Sequence, residues 1–270
     1  MQCRGIPSKR DYHRAIIDGH GDSISKAEGI EAAFDLAISD LKESYKKSGI
    51  DMTVSTRKVV TNGTGESAVQ AARELAAEGV QVIAGPYSSE EVAAILPVLT
   101  QEGILSVNPS SSPALSRPGD PQIRLCPDDT QLVHALFTYK DQTDTDISTK
   151  KAVILARDDL YGRTMAEKII LHGNVVDTVL YPQNTRDFTS ALKTLESIIS
   201  SLTDETDDEN IIVYAVAFDE IGDIMAQASH YRGLQKTRWL GMDTIALSST
   251  ILENITTAEF AYQTGLTALA

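Results

Sequence analysis

The sequence predicts an α/β fold in two lobes, each built around a parallel sheet. The hydrophobic pattern switches repeatedly between helical and strand-like periods, as it must when buried strands are joined by helices. That alternation runs twice, once up to Val107 and again from Lys151, with a proline-rich stretch between the two runs. A chain of 270 residues with 42% apolar content is also long enough for two cores of ordinary domain size. The predicted lobes are residues 1–124 and 125–270.

In the first run, Ile30, Ala33, Phe34, Ala37, Ile38 and Leu41 share one helical face. Ala68, Ala71, Ala72, Leu75 and Ala76 make a second stripe, stopped by Gly79 before the apolar run Val80 to Ala84. Val92, Ile95, Leu96 and Leu99 predict a third helix, which Gly103 separates from a strand over 104–107. Asn108 to Asp129 holds five prolines and four serines, too many breakers for a regular element, and is the predicted crossover between lobes. The second run predicts strands over 152–155, 175–180, 211–216 and 239–241, with helices over 162–171, 188–202 and 220–231.

Several function classes are disfavoured. A formal net charge of -14 lacks the electrostatic footprint of a nucleic-acid binder. No apolar window of membrane-spanning length occurs, so no insertion of this segment is expected. Cys3 and Cys126 are too few for a disulfide framework or a zinc site, and the histidines at 13, 20, 134, 172 and 230 show no metal-binding spacing. Met1-Gln2-Cys3-Arg4 is not preceded by an apolar stretch, so these residues carry neither a secretory nor a lipoprotein signal. A nucleophile elbow, a phosphate loop and a dinucleotide fingerprint are absent as motifs. Neither a catalytic residue nor a cofactor is expected. Asp204 to Asn210 lacks the ligand pattern of a calcium loop and reads as solvated, and the sequons at Asn62 and Asn254 read as ordinary loops.

Two segments do point to binding. Val82-Ile83-Ala84-Gly85-Pro86-Tyr87-Ser88-Ser89 is a buried strand ending in a small-residue, hydroxyl-bearing loop that runs into a helix. In open α/β sheets ligands bind at the carboxyl ends of the strands, where helix N-termini offer free N–H groups. Ser88 and Ser89 sit where a carboxylate could accept from hydroxyl and backbone together, although the same serines would serve equally well as helix caps. Ile104 to Pro113 repeats the design, with Ser110, Ser111 and Ser112 after a second strand end.

The order of these units resembles the type I periplasmic binding proteins, close to their branched-chain amino-acid-binding (leucine/isoleucine/valine) branch. Gly21-Asp22 with Glu28-Gly29 is similar to the family's first loop and helix, and Glu66 to Ser89 to its second helix, strand and Gly-Pro-x-Ser-Ser loop. Gln101 to Pro113 matches the next unit, Arg124 to Asp128 the crossover, and Asp158-Asp159-Leu160-Tyr161-Gly162 the aspartate-tyrosine-glycine turn. The resemblance implies two Rossmann-like lobes closing on a small polar ligand in an interlobe cleft. It implies that Ser88, Ser111 and Ser112 hold a ligand carboxylate, that Tyr161 and a residue near Ala217 and Phe218 approach from the second lobe, and that Asp243 takes an ammonium.

The implied function is extracytoplasmic capture of an amino acid or related solute for ABC-type uptake, with a membrane permease and its ATPase as partner. A sensor module of a signalling receptor and an α/β enzyme with an unrecognised site are the alternatives. Three departures stand out: the first strand is reduced to Ala15-Ile16-Ile17, Ala217 and Phe218 stand where a tyrosine is common, and family members usually continue beyond this length. The chain is therefore expected to end near the return to the first lobe, and to be less stable than a longer receptor.

Overall fold

A computed structural model describes residues 12–18, 24–50, 54–138, 147–203, 206, 210–246 and 248–269, with backbone alone for 12–18, 24–28 and 55. The Gly21-Asp22 loop, Cys3, His20 and most of the 204–210 loop lie outside the described residues. The chain divides into two compact units, residues 1–111 with 115–126, and residues 112–114 with 127–270.

The first unit runs β1 (Tyr12–Asp18), α1 (Ile24–Lys47), β2 (Ser55–Thr61), α2 (Gly65–Ala77), β3 (Val82–Ala84), α3 (Ser89–Glu102), β4 (Leu105–Asn108) and β5 (Gln122–Arg124). Its sheet order is β2-β1-β3-β4-β5, and every pair is parallel. Two expectations need correction. The first strand is not confined to 15–17: β1 has seven residues and pairs with β2 along its whole length. Nor is the 108–129 stretch free of regular structure, because Gln122–Arg124 adds a short edge strand to β4. An edge strand needs ladder partners on one side only, so the prolines that flank this one are tolerated.

The helical stripes pack as their spacing requires. Ala68, Ala71, Ala72 and Leu75 of α2 meet Ile95 and Leu99 of α3 in one core with Ile83 and Ile104. Alanine on one helix against larger side chains on the other lets the helices lie close without leaving voids.

The second unit opens with α4 (Asp129–Thr138), a helix the sequence reading passed over. It continues β6 (Lys151–Asp158), α5 (Leu160–His172), β7 (Asn174–Pro182), α6 (Thr189–Thr203), β8 (Ile211–Val216), α7 (Ile221–Ala228), α8 (Arg232–Lys236) and β9 (Arg238–Gly241). Then α9 (Ser249–Leu252), α10 (Ile255–Gln263) and β10 (Thr267–Ala268) follow. The expected helix over 220–231 is present as α7 but ends at Ala228, and α8 lies beyond the predicted range. Glu196 accepts from the N–H groups of Gly233 and Leu234 at 2.9 and 3.0 Å and so starts α8 separately.

Its sheet order is β10-β9-β8-β6-β7, again with all pairs parallel. Numbered within each unit, both sheets therefore share one order, 2-1-3-4-5. In both, the order reverses between the first and third strands, β1 and β3 or β6 and β8. Ligands of such sheets bind in the crevice outside the carboxyl ends at that switch point. β8 lies at the centre, and all six of its residues are buried. Trp239 and Phe260 meet edge to face at 5.3 Å in the same core.

No described helix is long and apolar enough to cross a membrane, and no cluster of metal-ligating side chains occurs among the described residues. Both sequon asparagines serve their backbones: Asn62 Oδ1 accepts from the Thr64 N–H, and Asn254 caps α10 by accepting from the Thr256 N–H.

Candidate functional site

In the first unit the candidate residues follow β3 and β4. Ser88 is the N-cap of α3, its Oγ accepting from the Glu91 N–H at 3.3 Å. The Ser88 hydroxyl also donates to Glu91 Oε2 at 3.0 Å, and Thr61 donates to Glu91 Oε1 at 2.5 Å. This is the Ser-x-x-Glu capping pattern with its carboxylate fully buried. A hydroxyl has one proton, and in this arrangement Ser88 gives it to Glu91. The cap role that the sequence left open is thus present. Ser89 is buried as the first helical residue of α3, whose first turn carries the positive end of the helix dipole.

The loop after β4 is organised by Asn108, which is fully buried. Its Oδ1 accepts from the Ser110 N–H at 3.1 Å and the Ser110 hydroxyl at 2.6 Å, while its Nδ2 donates to Ser106 at 2.9 Å. Ser110 is therefore a structural hydroxyl. Ser111 is half-buried, and its hydroxyl has no hydrogen bond among the described residues. Ser112, grouped with the second unit, lies 3.0 Å from Thr164 Oγ1. Thr164 gives its own proton to Leu160 O at 2.8 Å, so Ser112 is the donor in that pair.

In the second unit the site residues follow β6, β8 and β9. Asp159 caps α5 by accepting from the Gly162 N–H at 2.8 Å. A Cβ on Gly162 would fall 1.9 Å from the Arg157 carbonyl oxygen, so only glycine lets α5 start this close to the end of β6. That tight turn aims Tyr161 inward. The buried Tyr161 hydroxyl lies 3.1 Å from Asp243 Oδ1 and 3.2 Å from Thr244 Oγ1. The phenol gives its single proton to Asp243 Oδ1, while Thr244, whose hydroxyl also reaches Ala217 O at 2.6 Å, stands against the phenol oxygen. Burial, and then the charge of Asp243, push the Tyr161 phenol well above its ordinary range.

Tyr161, Ala217, Phe218 and Asp243 are thus brought together. Ala217 is fully packed in the core and offers its carbonyl rather than its side chain. Phe218 lies 5.0 Å from the Tyr161 ring at a 60° tilt. Asp243, to which the resemblance assigns an ammonium, is exposed.

Sequence reasoning missed the residues behind this wall. The Arg157 guanidinium stands 3.9 Å from the Phe218 ring centre and is bound by Asp159, with Nε to Oδ2 at 2.6 Å and Nη2 to the same oxygen at 2.5 Å. Glu220 Oε1 lies 3.7 Å from Arg157 Nη1 and accepts from the Tyr181 hydroxyl at 3.0 Å. A cation at the buried end of a strand, two residues before a capping aspartate, was the available signal.

The family model described as periplasmic binding protein matches residues 15–248. The chain belongs to that family. An uncharacterized protein of Methanocaldococcus jannaschii is 23% identical over 250 residues, which are 88% of this chain and 58% of that protein. The chain thus spans little more than half the length of that curated relative.

Among solved structures, the branched-chain amino acid transporter substrate binding protein LivJ of Streptococcus pneumoniae, in complex with isoleucine, superposes with a TM-score of 0.67 at 18% identity, covering 95% of this chain and 68% of that one. A solute binding protein of an ABC transporter from R. palustris, in complex with 4-hydroxybenzoate, gives 0.68 at 18% identity, covering 88% and 62%. These likenesses establish the type I periplasmic binding protein fold.

Proposed function

We propose that this chain is the ligand-binding part of an extracytoplasmic solute receptor, which captures a small carboxylate-bearing ligand and passes it to an ABC-type permease without chemistry. One observation carries the proposal. Two sheets of identical 2-1-3-4-5 order each present polar side chains at the carboxyl ends of their strands, where such sheets take ligands. Capture by two lobes, divided near residue 124, is retained from the family resemblance as part of this reading.

In the serine loops, Ser111 supplies the exchangeable hydroxyl, Ser112 turns its own from Thr164 to the ligand, and the first turn of α3 supplies N–H groups. Ser88, Ser89 and Ser110 shape the loops. In the second unit Tyr161 with Asp243 supports an ammonium, and the Phe218 ring and the Ala217 carbonyl stand behind them. An amino acid is thereby favoured. Aromatic carboxylates are the second reading, supported by the 4-hydroxybenzoate held by the R. palustris neighbour.

Calorimetry with isoleucine, its deaminated analogue and 4-hydroxybenzoate tests both readings, alongside native mass spectrometry for a carried-over solute. Isoleucine binding tighter than its analogue supports the amino-acid reading, and the reverse order supports the aromatic acid. Chemical conversion of a bound solute would overturn capture without chemistry.

A further inference from the structure

We propose that Arg157 is a positioning residue of the second unit, pressing its guanidinium on the Phe218 ring and thereby fixing the neighbouring Tyr161 ring. The guanidinium is itself immobile. Asp159 Oδ2 takes both its Nε and its Nη2, while Asp159 Oδ1 caps α5 through Gly162. Glu220, tied to Tyr181, draws Nη1 from the far side. A planar fork held at two edges has one free direction, its flat face, and that face meets Phe218. Burial works against the charge of Arg157, but Asp159 and Glu220 outweigh it, so the cation persists.

Arg157, Asp159 and Phe218 leave less than a tenth of their surface exposed. Phe218 therefore transmits a constraint rather than offering a face to a ligand. The same aspartate that orients Arg157 also fixes the turn bearing Tyr161, so the ring is held through its backbone and through its neighbour. Replacing the arginine frees the second of these holds only. The ring contact is a property of this unit alone, and only its effect on affinity rests on the receptor reading above.

The test compares Arg157→Lys, which keeps a cation that can lie over the ring, with Arg157→Met/Asp159→Asn, which removes the ion pair and keeps a capping oxygen. Both are made in the full chain. With selectively labelled Tyr and Phe, ring-flip rates and the Tyr161–Phe218 contact are read by NMR without ligand. The wild type and Arg157→Lys should show a strong contact and slow flipping. The folded double variant should show a weakened contact and flipping faster by about tenfold or more.

Titration with isoleucine and 4-hydroxybenzoate should then show a loss of about three- to tenfold in the double variant, largely restored by lysine. Unchanged ring behaviour in the folded double variant would overturn the proposal, as would lost ring order with unchanged affinity. If neither probe binds the wild type, the ligand reading fails, and the ligand-free ring measurement still decides the role of Arg157.

Discussion

Replacing Ser88 by alanine removes two hydrogen bonds at one point of the first unit. The first is the cap to the Glu91 N–H, whose loss costs about 1 kcal/mol. The second is the hydroxyl given to Glu91 Oε2; a bond to a charged group contributes about 1.5–3 kcal/mol. Glu91 is fully buried, so water does not replace the lost donor, while the Thr61 bond to the other oxygen remains. The combined loss is about 3 kcal/mol. For a unit of this size that lowers its melting temperature by roughly 10 °C. Urea unfolding followed by circular dichroism measures it. The sole tryptophan, Trp239, belongs to the core of the second unit, so its fluorescence reports that unit separately. A stability loss below about 0.5 kcal/mol would refute the capping account, because that is the range of surface substitutions without a structural role.

Three further outcomes follow from the site. Gly162→Ala should destabilise the second unit by about 3 kcal/mol or more in chemical unfolding, because the new methyl meets the rigid Arg157 carbonyl and the start of α5 must move. Ser111→Ala should leave stability within about 0.5 kcal/mol and weaken binding of a carboxylate probe in calorimetry by about 1.5–3 kcal/mol, while Ser110→Ala should do the reverse by loosening Asn108. Tyr161 and Tyr181, both raised by burial and then by Asp243 and Glu220 respectively, stay neutral in the folded chain when the unfolded chain ionises. Their contribution is complete below the ordinary phenol value of about 10 and is lost as pH rises beyond it, by about 1.4 kcal/mol per pH unit for each group. Denaturant titrations at rising alkaline pH should show this slope, and Tyr161→Phe should reduce it.

Much of the architecture was legible from apolar spacing. The stripes at 68–76 and 92–99 became α2 and α3, and the run at 211–216 became β8 residue for residue. The misses have physical causes. β2 reads Ser-Thr-Arg-Lys-Val-Val-Thr, and as an edge strand it exposes Val60 and pairs Lys58 with Glu31 and Asp35, so it lacks a buried run. The stripe of α4, with Val133 and Leu136 buried, was masked by the prolines before it. At the site, sequence located the loops but not the proton assignments. Whether Ser88 serves a ligand or a cap turns on Glu91, which the Ser-x-x-Glu spacing offers three residues on, and on Thr61, which the fold and not the spacing brings onto Glu91. Asp243 was placed at the right strand end, but its exposure depends on packing that no local pattern encodes.

Parallel pairing throughout both sheets has a kinetic consequence. A parallel pair cannot close through a tight turn, so each ladder must wait for a longer crossover between its strands. β1 pairs with β3 across an intervening strand and two helices, and β6 with β8 likewise. Neither central ladder can form early from local contacts, and loop-closure entropy must be met before those contacts contribute. Refolding from denaturant should therefore be slow for each unit. During that interval the β8 segment, fully buried in the folded chain, is uncovered, and the yield of native protein should fall as chain concentration rises, since collisions between such segments compete with the crossover that would bury them.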